Sequence, residues 1–327
     1  MHTNESHILD TRTTFATDIL EGLRRPQKRL PSKYFYDARG DEIFQRIMHA
    51  PAYYLFRAEQ EILSTRSADI VHQVTAMAPT VEVAELGPGD ASKSIFLLRE
   101  LAQNKALSAY RPIDISAHII GLLSGALSHS LPGVPVHGLQ GEYLAALAAS
   151  PRSEGGVPRL ILMLGANIGN FSPPAAVQLC RQLRELSRPG DLLLIGIDLK
   201  KDPRVVLEAY NDPEGLTRAF NLNLLRRINR EAPADFDIDT FSHFPTYDPE
   251  TGACKSFLVS GKAASVLVAG ERIHFHAGEA VLTEISQKYS LAATLALARE
   301  SGFEPVGQYF DEKKWFVDSL WKVPGRP

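Results

Sequence analysis

Apolar and polar positions along the middle of the chain switch between two periods, and the switches mark its elements. Short apolar runs at 81–86, 108–113, 135–139, 159–164 and 191–197 read as strands, while 91–103, 116–128 and 174–187 carry apolar residues at helical spacing. This alternation predicts an α/β fold in which helices cover both faces of a parallel sheet. Beyond residue 200 the pattern changes. Leu216, Phe220, Leu224 and Ile228 form one helical stripe within 203–232. Residues 241–286 predict antiparallel strands, turned at Asp248-Pro249-Glu250-Thr251-Gly252, Ala269-Gly270 and Ala277-Gly278. A helix at 290–301 and a hairpin built from 303–310 and 315–321 complete the sheet. The expected division is a sheet domain of 61–200 plus 287–327 and a second α+β lobe of 1–60 plus 201–286. The lobe is expected over the carboxyl ends of the strands, where open α/β sheets bind ligands.

The first strand, Val81-Glu82-Val83-Ala84-Glu85-Leu86, runs into Gly87-Pro88-Gly89-Asp90 and then a predicted helix. Glycines let the backbone take conformations closed to other residues and let a ligand come close to the main chain, and a helix N-terminus faces the turn. A dinucleotide site wants a third glycine, where this chain has Ser92. A phosphate loop wants a glycine before Lys-Ser/Thr, which G-P-G-D-A-S-K-S lacks. What remains is the E-x-G-x-G form, which resembles motif I of class I S-adenosylmethionine (SAM) methyltransferases. Asp114 follows at the end of the next strand, where a carboxylate can accept hydrogen bonds from both hydroxyls of a ribose; the same position also suits a cap for the helix starting near Ser116.

Composition narrows the class of protein. The chain has 327 residues, 44% of them hydrophobic, enough for a sizeable core and more than one domain. A net charge of −3 without a long basic stripe argues against nucleic acid as a partner. Two cysteines, Cys180 and Cys254, are too few for a disulfide scaffold or a cysteine metal site. No apolar run reaches signal-peptide length in the first thirty residues or membrane-spanning length elsewhere. The reading is a cytoplasmic, monomeric protein that acts on a small molecule and makes no membrane contact. His274 and His276 share a strand face, but no acidic or cysteine partner stands at ligand spacing, so no metal is expected.

Three further stretches carry pocket chemistry. Lys33-Tyr34-Phe35-Tyr36-Asp37-Ala38-Arg39-Gly40, Phe44 and Pro51-Ala52-Tyr53-Tyr54 with Arg57-Ala58-Glu59 gather aromatics in a charged segment; a small aromatic core of the lobe is the alternative, but the hydroxyls of Tyr36 and Tyr53 need partners if buried. Leu164-Gly165-Ala166-Asn167-Ile168-Gly169-Asn170 ends the fourth strand, with Asn170 offering both a donor and an acceptor. In Leu282-Thr283-Glu284-Ile285-Ser286, residues two apart share a face, so Glu284 and Ser286 present a carboxylate and a hydroxyl to one point. Such a pair suits a small ring with two nitrogen positions, such as an imidazole; a strand end with its polar face in solvent is the alternative.

Together these stretches resemble the histidine N-alpha-methyltransferases of ergothioneine biosynthesis, within a group that includes fungal dimethylallyltryptophan N-methyltransferases. The resemblance runs from Tyr34-Phe35-Tyr36-Asp37 through Glu85-Leu86-Gly87-Pro88-Gly89, Ile168-Gly169-Asn170, Ala209-Tyr210-Asn211-Asp212-Pro213 and Ile228-Asn229-Arg230-Glu231 to Thr283-Glu284-Ile285-Ser286. It implies a class I SAM-methyltransferase Rossmann-like sheet and three methyl transfers from SAM to the α-amine of L-histidine, giving hercynine. It also implies that Tyr36, Gly87, Gly89, Lys93 and Asp114 hold SAM, with Glu142 and Tyr143 along its adenine where the family usually has Asp-Phe. Asn170 and Tyr210 would bind the amino acid head of the substrate, Tyr53 would lie beside amine and ring, and Glu284 with Ser286 would grip the imidazole. The chain departs from the family at Ser256, which stands where a methionine is expected to line the pocket. Another aromatic amino acid or a histidine derivative is the alternative substrate, and a non-catalytic SAM sensor the alternative class.

Overall fold

The computed structural model describes residues 14–325. The readings that place residues 1–13 in the second lobe, and without a signal segment, lie outside the described residues. By its internal contacts the chain forms two compact units, one of Met1–Tyr54 with Lys201–Ser286 and one of Leu55–Lys200 with Gln287–Pro327.

The larger unit is built on a seven-stranded sheet. Its strands are β1 (Val81–Leu86), β2 (Leu107–Asp114), β3 (Leu139–Gln140), β4 (Arg159–Met163) and β5 (Leu192–Asp198), joined by the closing hairpin. Five strands of the other unit come between in sequence, β6 (Phe241–Tyr247), β7 (Ala253–Ser260), β8 (Ala264–Val268), β9 (Glu271–Phe275) and β10 (Ala280–Gln287), so the hairpin strands are β11 (Glu304–Phe310) and β12 (Phe316–Lys322). The sheet order is β11-β12-β5-β4-β1-β2-β3. The first five strands run parallel, and β12 is antiparallel to both of its neighbours. This is the class I methyltransferase sheet that the motif implied.

Side chains two apart on each strand explain the layers. Val81 and Val83 of β1 pack with Leu160, Leu162, Leu192 and Leu194 beneath helices Tyr54–Met77, Ser94–Gln103 and Ala117–Ser130. Ala84 and Leu86 face the opposite way, with Ile161, Met163 and Ile195, beneath helices Tyr143–Ala149, Pro173–Leu186 and Leu291–Glu300. All six residues of β1 are buried, which places the glycine turn at the end of a central strand.

The smaller unit buries its own core, in which Phe15, Ile19, Phe35, Ile43 and Ile47 meet Phe220, Leu224, Phe241, Leu258 and Val281. The helical stretch expected across 203–232 is two helices, Pro203–Tyr210 and Leu216–Glu231. Gly215 breaks it at φ 71°, and the Asp212 carboxylate accepts the Leu216 and Thr217 amides at 2.7 and 2.8 Å to start the second helix. The strands form two sheets, β10-β7-β6 and β8-β9. The strand expected at 135–139 is reduced to Leu139–Gln140 and one bridge from Val136 to Tyr110, because Pro135 removes a ladder donor.

Candidate functional site

In the larger unit the turn after β1 is shaped by its glycines. Gly87 and Gly89 have φ of 69° and 57°, in the left-handed region that other residues enter only with strain. A side chain at Gly87 would overlap the Tyr143 hydroxyl and stand 3.4 Å from the Asn167 amide nitrogen, whereas one at Gly89 would meet nothing within 4 Å. The Gly87 amide donates to the Ile113 carbonyl at 2.8 Å and ties the turn to β2. Asp90 accepts from the Ser92 amide and hydroxyl at 3.0 and 2.6 Å.

Asp114 ends β2 and accepts the Ser116 amide at 2.8 Å, while the Ser116 hydroxyl caps the helix by accepting Ile119 N–H at 3.3 Å. The cap is therefore Ser116. Burial raises the Asp114 carboxyl above its ordinary range, opposed by the Ser116 and Ile115 amides. Burial and the nearby Asp114 charge raise the Tyr143 hydroxyl in turn. Glu142 is exposed at the start of helix Tyr143–Ala149. Gly87, Asp114 and Tyr143 thus lie together, and Tyr143 carries a hydroxyl that a phenylalanine would lack.

Lys93 stands on the other side of the turn. Its ammonium contacts Glu59 and lies 3.5 Å from where a side chain at Gly165 would begin, and its side chain is 17% exposed against 0% for Glu59. Glu59 also accepts the Gly165 amide at 2.7 and 2.8 Å. The surroundings suit a zwitterionic nucleoside. Open space over Gly89 admits a ligand to the main chain, Lys93 can meet a carboxylate, and the Asp114 carboxyl can accept from a diol. Asn170 ends the short helix Asn167–Asn170 after β4.

Glu85 is buried on β1, where the Tyr110 hydroxyl donates to it at 2.5 Å. Burial pushes its carboxyl up to about 7, against the Tyr110 hydrogen bond and the Lys93 charge. A folded-state value above the unfolded one means that the folded protein binds the extra proton, so this group's contribution to stability falls as pH rises between roughly 4.5 and 7. Glu85→Gln is therefore expected to gain about 2–3 kcal/mol over the wild type between pH 5 and pH 8. Urea unfolding at the two pH values measures it; an unchanged difference would contradict the shift.

In the smaller unit Phe44, Ile47, Tyr53, Ala209, Tyr210, Thr217, Phe220 and Glu284 line one cavity. The Tyr53 and Tyr210 rings meet edge to face with centroids 6.3 Å apart, and Tyr53 meets Phe44 at 6.4 Å. Tyr210 donates to the Ser286 hydroxyl at 2.7 Å, so the two residues expected to touch opposite ends of a substrate are bonded to each other. Tyr36 packs edge-on to Phe44 and Phe220 at 5.5 and 5.7 Å and is 40% exposed. Ser256 is buried on β7, where its carbonyl accepts from Thr283 at 3.0 Å, and it is not among the cavity's lining residues. Among the described residues no group of three or more His, Cys, Asp or Glu side chains is placed to hold a metal, and no helix is long and apolar enough to cross a membrane.

Glu59 and Asn167 fall in stretches that read as pocket chemistry but received no role of their own from the sequence, and Thr217 received none either. Glu59 carried a signal, since it is an acid at helical spacing from Leu55, Ile62 and Leu63 in a buried stripe. The model of a family described as histidine-specific methyltransferase, SAM-dependent, matches residues 15–323. The histidine N-alpha-methyltransferase of Mycobacterium tuberculosis (strain CDC 1551 / Oshkosh) is 36% identical over 305 residues, 93% of this chain and 93% of that protein. The protein of the same name from Mycolicibacterium smegmatis is 34% identical over 305 residues, with the same coverage. An L-tryptophan methyltransferase of Psilocybe serbica is 28% identical over 320 residues, 90% of this chain and 89% of that protein.

Proposed function

The chain belongs to the family of histidine-specific, SAM-dependent methyltransferases, and on that premise we propose that it methylates the α-amine of L-histidine three times, giving hercynine. The observation that carries the substrate is Glu284, an acid in a cavity otherwise lined by aromatic, aliphatic and hydroxyl side chains. An imidazole can donate its N–H to this partly buried carboxylate in a charge-assisted hydrogen bond while its second nitrogen accepts from a hydroxyl; an indole has one nitrogen, on a larger ring. The relatives named for histidine support the same reading.

Bound SAM supplies a methyl group already activated on a sulfonium. The protein's task is to bring an unprotonated amine into line behind that methyl, and positioning can supply much of the rate. In this reading the larger unit is the SAM-binding domain. Gly87 and Gly89 give access to its main chain, Lys93 takes the cofactor's carboxylate and Asp114 its ribose, with Tyr36, Glu142 and Tyr143 completing the cofactor's surroundings. Asn170 and Tyr210 hold the amino acid head. Glu284 and Ser286 hold the ring, and the Tyr53 face accommodates the growing ammonium through cation–π attraction. A free α-amine titrates near pH ~8, so a nearby cation shifts it to the reactive neutral form and no dedicated strong base is required. The amine proton leaves to solvent before each new transfer.

Steady-state rates with histidine and tryptophan, each with saturating SAM, test the substrate. The reading expects kcat/KM for histidine to exceed that for tryptophan by about 10³ or more, because a site built for ring nitrogens leaves its polar groups unpaired with the wrong ligand. Comparable values would contradict it.

A further inference from the structure

Sheet positions that face a helix are normally apolar, and Asp318 breaks that rule at the centre of a layer. It pairs with Gly196 across β12 and β5. It is fully buried, and among the described residues neither of its carboxyl oxygens has a hydrogen-bond partner. An ionised carboxylate without a donor is too costly in such a place, whereas a protonated one needs only an acceptor.

The surroundings of Gly196 hold a candidate acceptor. A side chain there would overlap Glu59 Oε1 and stand 3.2 Å from Asp318 Oδ1, so the missing Cβ leaves both carboxyl groups bordering one space. Glu59 is fully buried as well, and it accepts the Gly165 amide and holds the Lys93 ammonium. A carboxylate has about four acceptor positions, so Oε1 can take a further donor. Lys93 is the cation shared by this cluster, with Glu85 the third carboxyl in its field. Burial and the charge of Glu59 push the Asp318 carboxyl well above the usual carboxylate range, with Lys93 opposing.

We propose that Asp318 is a positioning residue for the cofactor: a neutral carboxyl whose O–H donates to Glu59 and so fixes the carboxylate that holds Lys93 at the end of β4. The inference rests on the reading of Lys93 as a holder of SAM. Without the donor, Glu59 is free to turn from Gly165, and Lys93 loses a fixed anchor. The proton on Asp318 also keeps the cluster from carrying a second uncompensated negative charge.

The full-length protein carries the test, with S-adenosylhomocysteine as the probe in calorimetry and infrared spectroscopy near pH 8. Lys93→Ala and Asp318→Ala are each expected to weaken binding about tenfold, the loss of one hydrogen bond to a charged group. At saturating SAM, Asp318→Ala should keep kcat within about threefold of wild type, because its effect falls on cofactor affinity. Asp318→Asn keeps an N–H donor in the same place and should bind within about threefold of wild type. The infrared difference between wild type and Asp318→Asn should contain the C=O stretch of a protonated carboxylic acid. Absence of that band, or Asp318→Asn as weak as Asp318→Ala, overturns the proposal. Wild-type affinity in Lys93→Ala overturns instead the reading of Lys93 on which it rests. Should Asp318→Ala fail to fold, Asp318→Ser makes the same comparison with Asn.

Discussion

Replacing Glu284 with alanine is expected to raise the KM for histidine about 100-fold while the KM for SAM stays within about threefold. A hydrogen bond to a charged group contributes roughly 1.5–3 kcal/mol, and removing one partner also leaves the other buried without one. The cavity offers no second carboxylate: Phe44, Ile47, Ala209 and Phe220 supply no side-chain acceptor, Tyr210 is bonded to Ser286, and Tyr53 and Thr217 offer only neutral hydroxyls. Glu284→Gln keeps an acceptor oxygen and loses the charge, so its histidine KM should rise only about tenfold. Steady-state kinetics with each substrate varied in turn measure both constants. Equal rises in the two KM values would remove Glu284 from the ring-binding role.

Gly87→Ala is the counterpart on the cofactor side, and it is expected to weaken S-adenosylhomocysteine binding by about 100-fold. Two costs combine. The residue sits at φ 69°, where a non-glycine residue is strained by about 1–2 kcal/mol, and its new methyl group would overlap the Tyr143 hydroxyl. Adding Tyr143→Phe removes the overlap but not the backbone strain, so the double variant should recover about tenfold of the loss. Gly89→Ala, with open space around its Cβ and φ 57°, carries the strain alone and should weaken binding less than Gly87→Ala. Calorimetric titration checks the order of the variants. Wild-type affinity in Gly87→Ala would mean that the turn is not the cofactor's seat.

The parts legible in the sequence are those written in local spacing. β1 matches the expected 81–86 residue for residue, because a fully buried parallel strand shows as a bounded apolar run. The glycine turn was legible for the same reason, since a turn fixes its own residues, and so was the strand that carries Glu284 and Ser286 two positions apart. The helices Ala38–His49 and Tyr54–Met77 went unread, since four charges and Gly40 crowd the first of them and Glu59 interrupts the buried stripe of the second. Pairings that depend on the fold were out of reach. Tyr210 and Ser286 are 76 positions apart and meet only because β10 brings Ser286 to the end of helix Pro203–Tyr210. Asp318 reads as one acid in a strand until the β5 to β12 register sets it opposite Gly196.

The central claim is that histidine is methylated on its α-amine, and mass spectrometry of the product tests it most directly. The protein is incubated with L-histidine and SAM, and the amino acid is followed through time and fragmented. The account predicts one, two and then three added methyl groups, all on the fragment that carries the α-nitrogen and none on the imidazole. Histidine that gains no methyl mass, or gains it on the ring, would contradict it.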